Sequence, residues 1–218
     1  MFDNRQHAAQ ALANSLSQYA GKNTLVLGIP RGGAEIGYYI ASKLNADFSL
    51  VIARKLGYPE HPEAAFGAIA EDGSTYISRS ARNFISQDEI DEVKRKEKLE
   101  IKRRISVLRK GKSLPSLEGK NIILADDGIA TGATLFATIM LCKKQHPSKI
   151  IVAAPISSRR MESDLFEIVD DVVILEKPPN FFAVSQGYRH FENLTDEQTV
   201  AFIDSWEKEH SGNHTPNG

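Results

Sequence analysis

The chemistry of this chain is concentrated in residues 122–134, IILADDGIATGAT. An apolar run delivers two adjacent carboxylates, Asp126 and Asp127, and the residues after them are small, hydroxylated or glycine until a helical pattern begins. Thr131, Gly132, Ala133 and Thr134 at a helix start offer converging backbone N–H groups, two hydroxyls and the positive end of the helix dipole, which together bind a phosphate. Two carboxylates beside a phosphate repel it unless they hold a metal ion or accept hydrogen bonds from hydroxyls, and a sugar diol meets the second need. The pattern therefore points to a phosphorylated sugar. A helix-capping pair at an ordinary turn is the alternative; the apolar strand before it and TGAT after it favour the ligand. No Gly-Lys-Ser/Thr follows and no GxGxxG opens a dinucleotide fold, so those two nucleotide sites lack their parts. Two cationic loops accompany the segment: Pro30-Arg31-Gly32-Gly33, and Arg54-Lys55 before a Gly/Pro-rich stretch that runs to Pro62. Paired cations at a strand end are ordinarily solvated, but these face the same end of the sheet as the phosphate loop.

Such loops need a scaffold, and the hydrophobic pattern supplies one. Strands are predicted at 24–29, 48–53, 65–70, 121–125, 149–154 and 172–175, with helices after 33, from 132 and over 160–169. Apolar, β-branched strands alternating with helices indicate a doubly wound α/β domain with a mostly parallel sheet covered on both faces. Ligands of such sheets bind at the carboxyl ends of the strands. An amphipathic helix precedes the first strand, with Phe2, Ala8, Ala9, Leu12 and Leu16 on one face. Residues 86–110 form a charge-dense helix that keeps an apolar stripe, Ile90, Val93, Ile101, Ile105 and Leu108, and so reads as a solvated face. Residues 176–192, with paired prolines and then aromatics, read as an ordered loop before a terminal helix from Asp196, and 211–218 as a disordered tail.

Composition sets the outer bounds. At 218 residues the chain suits one domain, over 1–210. Lys+Arg 27 against Asp+Glu 28 gives a net charge of -1, so no global basic field holds nucleic acid or an anionic membrane. A single cysteine, Cys142, excludes an intrachain disulfide and a Cys-rich zinc site. No apolar stretch has the length of a membrane span, and the first residues lack the apolar core of a secretory signal, so the expectation is a cytoplasmic protein.

The ADDGIATGAT segment resembles the phosphoribosyl pyrophosphate (PRPP) signature of the type I phosphoribosyltransferases, and the resemblance extends over about 2–203. It implies that fold, with a small C-terminal hood at 176–192, and transfer of ribose 5-phosphate from PRPP to a nitrogenous base with release of pyrophosphate. By the match, Asp126 and Asp127 hold the ribose hydroxyls, and Ile129, Ala130, Thr131, Gly132, Ala133 and Thr134 wrap the 5-phosphate. Arg31, Gly32 and Gly33 form the pyrophosphate loop, with a cis peptide before Arg31, while Arg54 and Lys55 add cations to the diphosphate. Magnesium is the implied cofactor, helping to neutralise the departing diphosphate, with no metal-ligating residue assigned, and a homodimer the implied assembly, with the apolar stripe of the N-terminal helix as its packing surface. The adenine enzymes keep a Glu where this chain has Glu71, which would assist the base, with Glu63 and His61 as weaker candidates; an aromatic of the hood, Phe181 or Phe182, would stack on it. Hypoxanthine-guanine enzymes carry an Asp where this chain has Ala130 and a Lys where it has Asp170 and Asp171, so an amino-bearing base is expected over an oxo-bearing one. The rival reading is a non-catalytic PRPP sensor that binds nucleic acid through the basic helix.

Overall fold

In the computed structural model, residues 1–21 and 23–210 are described; the expected tail at 211–218 lies outside them. The chain runs α1 (Arg5–Ser15), β1 (Thr24–Gly28), α2 (Gly32–Leu44), β2 (Asp47–Leu50), β3 (Ala53–Gly57), β4 (Ala65–Ala70), β5 (Thr75–Ile77) and α3 (Gln87–Leu108). It continues through β6 (Asn121–Ala125), α4 (Ala133–Lys144), β7 (Lys149–Ile156), α5 (Arg159–Phe166), β8 (Asp171–Glu176) and α6 (Asp196–His210).

Five strands form one parallel sheet in the order β2-β1-β6-β7-β8. The period-2 alternation of β6 divides the core: Ile123 and Ala125 pack with α1 and α2 on one face, Ile122 and Leu124 with α4 on the other. This is the doubly wound arrangement the alternation of elements predicts. The chain leaves β1 toward β2 on one side and builds β6, β7 and β8 on the other, so the switch point lies between β1 and β6, where such sheets bind ligands.

The expected strand at 48–53 is two strands. β2 ends at Leu50, and after the fully buried Val51 and Ile52 the chain enters a separate three-stranded antiparallel sheet, β3-β4-β5. Continuous apolar character hides the break, because both halves and the corner between them are buried. Ala65–Ala70 is likewise a strand, but of this second sheet, on which α4 packs.

Helix α1 buries its apolar stripe, Ala8, Ala9, Leu12 and Leu16, inside its own chain against α2. It therefore offers no free stripe to a partner subunit. Helix α3 starts at a capping box in which the Ser86 hydroxyl accepts from Glu89 N and the Glu89 carboxylate accepts from Ser86 N. Its cations meet acids: Arg103 pairs with Glu100 and Asp196, Arg104 with Glu100, and just beyond it Lys110 with Asp204 and Lys112 with Glu207. The cations at the C-terminal end of the basic stretch are thus neutralised locally. No helix of the described residues is long and apolar enough to cross a membrane.

Candidate functional site

Two strand-to-helix crossings build a cleft at the carboxyl ends of β1 and β6. From β1 the chain passes through a cis Pro30–Arg31 peptide into α2. There Gly32 lies so close to the end of β6 that a Cβ on it would stand 1.7 Å from Asp127 Oδ2. Only glycine allows the loop after β1 and the carboxylate after β6 to occupy this space. From β6 the chain turns through Gly132, which has φ 70° and begins α4 with no side chain capping its first amides. The first amides of α4 are therefore left without a side-chain partner, beside Thr131, Gly132 and Thr134, which line the cleft.

The cleft encloses about 400 Å³ and brings together Arg31, Gly32, Arg54, Lys55, Asp126, Asp127, Ile129, Ala130, Thr131, Gly132 and Thr134. Gly33 and Ala133 sit behind this lining as the helix-start residues of α2 and α4. An adjoining space of about 720 Å³ shares Arg54, Lys55 and Asp126 and continues under α3 past Tyr58, Pro62 and Glu63. Its wall is tied by Arg54 Nε, which donates to Glu97 at 2.8 Å. His61 is exposed and lines neither space.

The carboxylates differ in their surroundings. Burial, and then the neighbouring Asp127 charge, raise Asp126 well above the usual carboxylate range. Asp127 is also raised by burial, while Arg5 pulls it back. Arg5 Nε donates to Asp127 Oδ2 at 2.8 Å, and Arg5 Nη1 donates to the Glu192 carbonyl at 2.8 Å. The guanidinium lies 4.2 Å from the centre of the Phe191 ring. Glu35 stands 4.0 Å from the same guanidinium, and burial raises its carboxyl too, with Arg5 opposing. From the hood, the Tyr188 hydroxyl donates to the Asp127 carbonyl at 2.6 Å.

Several expected participants are elsewhere. Glu71 does not line the cleft; it grips the buried Arg109 through both oxygens, one at 2.8 Å, and accepts from Ile52 N. Antiparallel pairing sets Ala70 opposite Ala53, so Glu71 follows β4 at the end of the hairpin remote from the 58–64 turn. Phe182 is 84% exposed and Phe181 packs half-buried on the core; neither lines the cleft, whereas Val184 and Phe191 do. Asp170 and Asp171 lie at the amino end of β8, opposite the cleft. There Asp170 accepts from Ile150 N and Asp171 from the Tyr19 hydroxyl. Two of the three supports for an amino-bearing base are therefore lost.

Arg5 and Arg104 line the cleft without having been singled out by sequence. A signal existed for Arg5. It occupies the same helical face as Ala8, Ala9 and Leu12 and is the charged member of that stripe.

A parallel sheet with an uncapped helix start, a carboxylate pair and clustered cations at its switch point defines a doubly wound α/β protein with a polar cleft at the carboxyl ends of its strands. The family model for the phosphoribosyl transferase domain matches residues 2–191, and the chain belongs to that family. It is similar to a Mycobacterium tuberculosis H37Rv protein named "Putative phosphoribosyl transferase", 39% identical over 206 residues, 94% of this chain and 46% of that one. The chain thus spans about half the length of the curated relatives it matches. It also resembles the crystal structure of TT1426 from Thermus thermophilus, at 30% identity and a TM-score of 0.79, covering 94% of this chain and 98% of the other. A human protein, Phosphoribosyltransferase domain-containing protein 1, is 31% identical over 99 residues, 45% of this chain and 43% of that protein.

Proposed function

We propose that this chain transfers ribose 5-phosphate from PRPP to a nitrogenous base and releases pyrophosphate. The observation that carries the reading is the meeting, in one cleft, of an uncapped α4 start, the Asp126–Asp127 pair and the cations Arg31, Arg54 and Lys55. The amides and hydroxyls of 131–134 hold the 5-phosphate. Asp126 and Asp127 accept hydrogen bonds from the ribose hydroxyls and fix the sugar's orientation. The cations offset the charge that gathers on the departing diphosphate as the bond to C1 of the ribose breaks. The base nitrogen then bonds to C1 and gives up its proton to the departing diphosphate or to water.

Magnesium fits this donor set only as a substrate-borne ion. No group of three His, Cys, Asp or Glu among the described residues could hold a metal alone, whereas Asp126 offers a carboxylate in the same cleft as the cations Arg54 and Lys55, where the diphosphate would lie. Bound there, it supplies charge neutralisation to the leaving group. The acceptor stays at the level of a nitrogenous base, since Glu71, Asp170 and Asp171 do not reach it. A homodimer would have to use a surface other than the buried apolar stripe of α1.

The test is pyrophosphate release from PRPP with magnesium and a panel of purine and pyrimidine bases. Release that depends on one base supports the reading. A folded protein that neither binds PRPP in a calorimetric titration nor releases pyrophosphate with any base refutes it.

A further inference from the structure

Arg5 is the charged member of the buried α1 stripe and also lines the cleft. Three elements meet at its side chain. Its Nε donates to Asp127 Oδ2 after β6, its Nη1 donates to the Glu192 carbonyl of the hood, and Glu35 of α2 stands 4.0 Å away. The guanidinium lies over the Phe191 ring, and that ring is stacked on Tyr188 at 4.9 Å. Tyr188 in turn donates its hydroxyl hydrogen to the Asp127 carbonyl at 2.6 Å, so Asp127 is held through both its side chain and its main chain.

The second carboxylate is oriented by the first. Asp126 Oδ1 accepts from Asp127 N at 2.9 Å. One oxygen of each acid is therefore committed inside the protein. The other two, Asp127 Oδ1 and Asp126 Oδ2, accept no hydrogen bond from the described residues, and both acids line the cleft. Two unengaged carboxylate oxygens on adjacent residues match two vicinal hydroxyls, each of which donates one hydrogen bond. We propose that Arg5 is a positioning residue for sugar recognition: it holds Asp127 Oδ2 so that Oδ1, together with Asp126 Oδ2, accepts from the vicinal hydroxyls of the ribose. This role rests on PRPP as the ligand and adds to the site a residue 122 positions from Asp127 in sequence.

Loss of a purely structural ion pair would lower stability and leave the choice between sugars untouched. Ribose 5-phosphate and 2-deoxyribose 5-phosphate differ by one hydroxyl, so the ratio of their dissociation constants reads the carboxylate pair and cancels any change in the amount of folded protein. Both are titrated into the native protein, Arg5→Gln and Arg5→Lys, with amide chemical shifts as the readout. The native protein is expected to prefer the ribose ester about tenfold or more, because the missing hydroxyl leaves a carboxylate oxygen unpaired. In folded Arg5→Gln the preference is expected to fall to about twofold or less, with Arg5→Lys, which keeps the charge without the fork of donors, in between. A folded Arg5→Gln that keeps the native preference overturns the role and leaves PRPP as the ligand. If that variant does not fold, Arg5→Lys decides: a preference reduced by about threefold or more supports the role, and a native preference overturns it. A native protein that binds neither sugar phosphate overturns PRPP as the ligand, and the role with it.

Discussion

Replacing Arg5 with methionine tests the tie between the N-terminal helix and the carboxylate pair. The side chains of Arg5 and Asp127 are 6% and 16% exposed and meet at 2.8 Å. Removing one partner of such a buried pair costs about 3–5 kcal/mol, because the other charge is left uncompensated. Asp127 lines an open cleft that water can enter, so the lower end, about 3 kcal/mol near neutral pH, is expected. That is a large share of the roughly 5–15 kcal/mol that holds a domain together. The loss also depends on pH in a defined direction. Burial already raises Asp127 above its ordinary value, and Arg5 opposes that rise. Without Arg5 the folded-state value climbs further while the unfolded one stays put. A carboxyl whose folded pKa is raised stabilises the fold when protonated, and this contribution is lost as pH rises through the folded value. The deficit of the variant is therefore largest above that value and shrinks on acidification. Urea unfolding of both proteins at about pH 8 and about pH 5 measures the two gaps. A gap under about 1 kcal/mol at the higher pH, or one that widens on acidification, would refute the pairing as the source of stability.

Asp126→Asn is expected to leave the protein at least as stable near neutral pH, since burial disfavours the native charge, while weakening PRPP binding about tenfold or more through loss of a charge-assisted contact. Calorimetric titration and a thermal melt check both halves, and unchanged affinity would remove Asp126 from the ribose site. Gly32→Ala drives a methyl group into Asp127 Oδ2; a stability loss of about 1–3 kcal/mol and impaired PRPP binding are expected, and a variant equal to the native protein in both would contradict the close approach. Glu71→Gln leaves Arg109 buried beside a neutral amide, so stability is expected to fall by up to about 3 kcal/mol while turnover per folded molecule holds. A specific fall in turnover at an unchanged melting temperature would return Glu71 to catalysis.

The parallel sheet was legible because its strands report themselves twice, through apolar runs and through the helices that must cross between them. β1, β6 and β7 are buried on both faces and need no long-range information to be found. The break at Val51 and Ile52 was not legible for the same reason: an apolar run that turns a corner inside the core looks like one that continues straight. The α1 stripe likewise announces that it will be buried, but not whether its own α2 or a second subunit will cover it. The charge run of α3 shows which residues are cationic and leaves open which acids reach them, since Asp196, Asp204 and Glu207 come from α6.

The same division explains the site. Residues 126–134 are contiguous, so one strand end and one helix start fix their geometry, and local spacing suffices to read it. Glu71 is sixteen residues beyond Lys55 in sequence, a spacing that resembles a catalytic one, yet the β3–β4 pairing carries it back beside Ile52 and into the reach of Arg109. Arg5 makes the opposite journey. It stands 122 residues from Asp127 and reaches it because α1 is pinned to the hood: Phe2 N donates to the Gly187 carbonyl and Arg189 N to the Phe2 carbonyl. A charged residue on the apolar face of a helix must find a buried counter-charge, so its presence in the α1 stripe implies a buried carboxylate somewhere in the fold. Asp126 and Asp127 are the adjacent acids that an apolar strand carries inward. Arg5 pairs with Asp127, and Asp126 has Lys55 as the cation that opposes the effect of its burial. Arg31 and Arg54 are already met by Asp196 and Glu97, so on the proposed reading the anionic oxygens of a ligand would compete with these acids for the same cations.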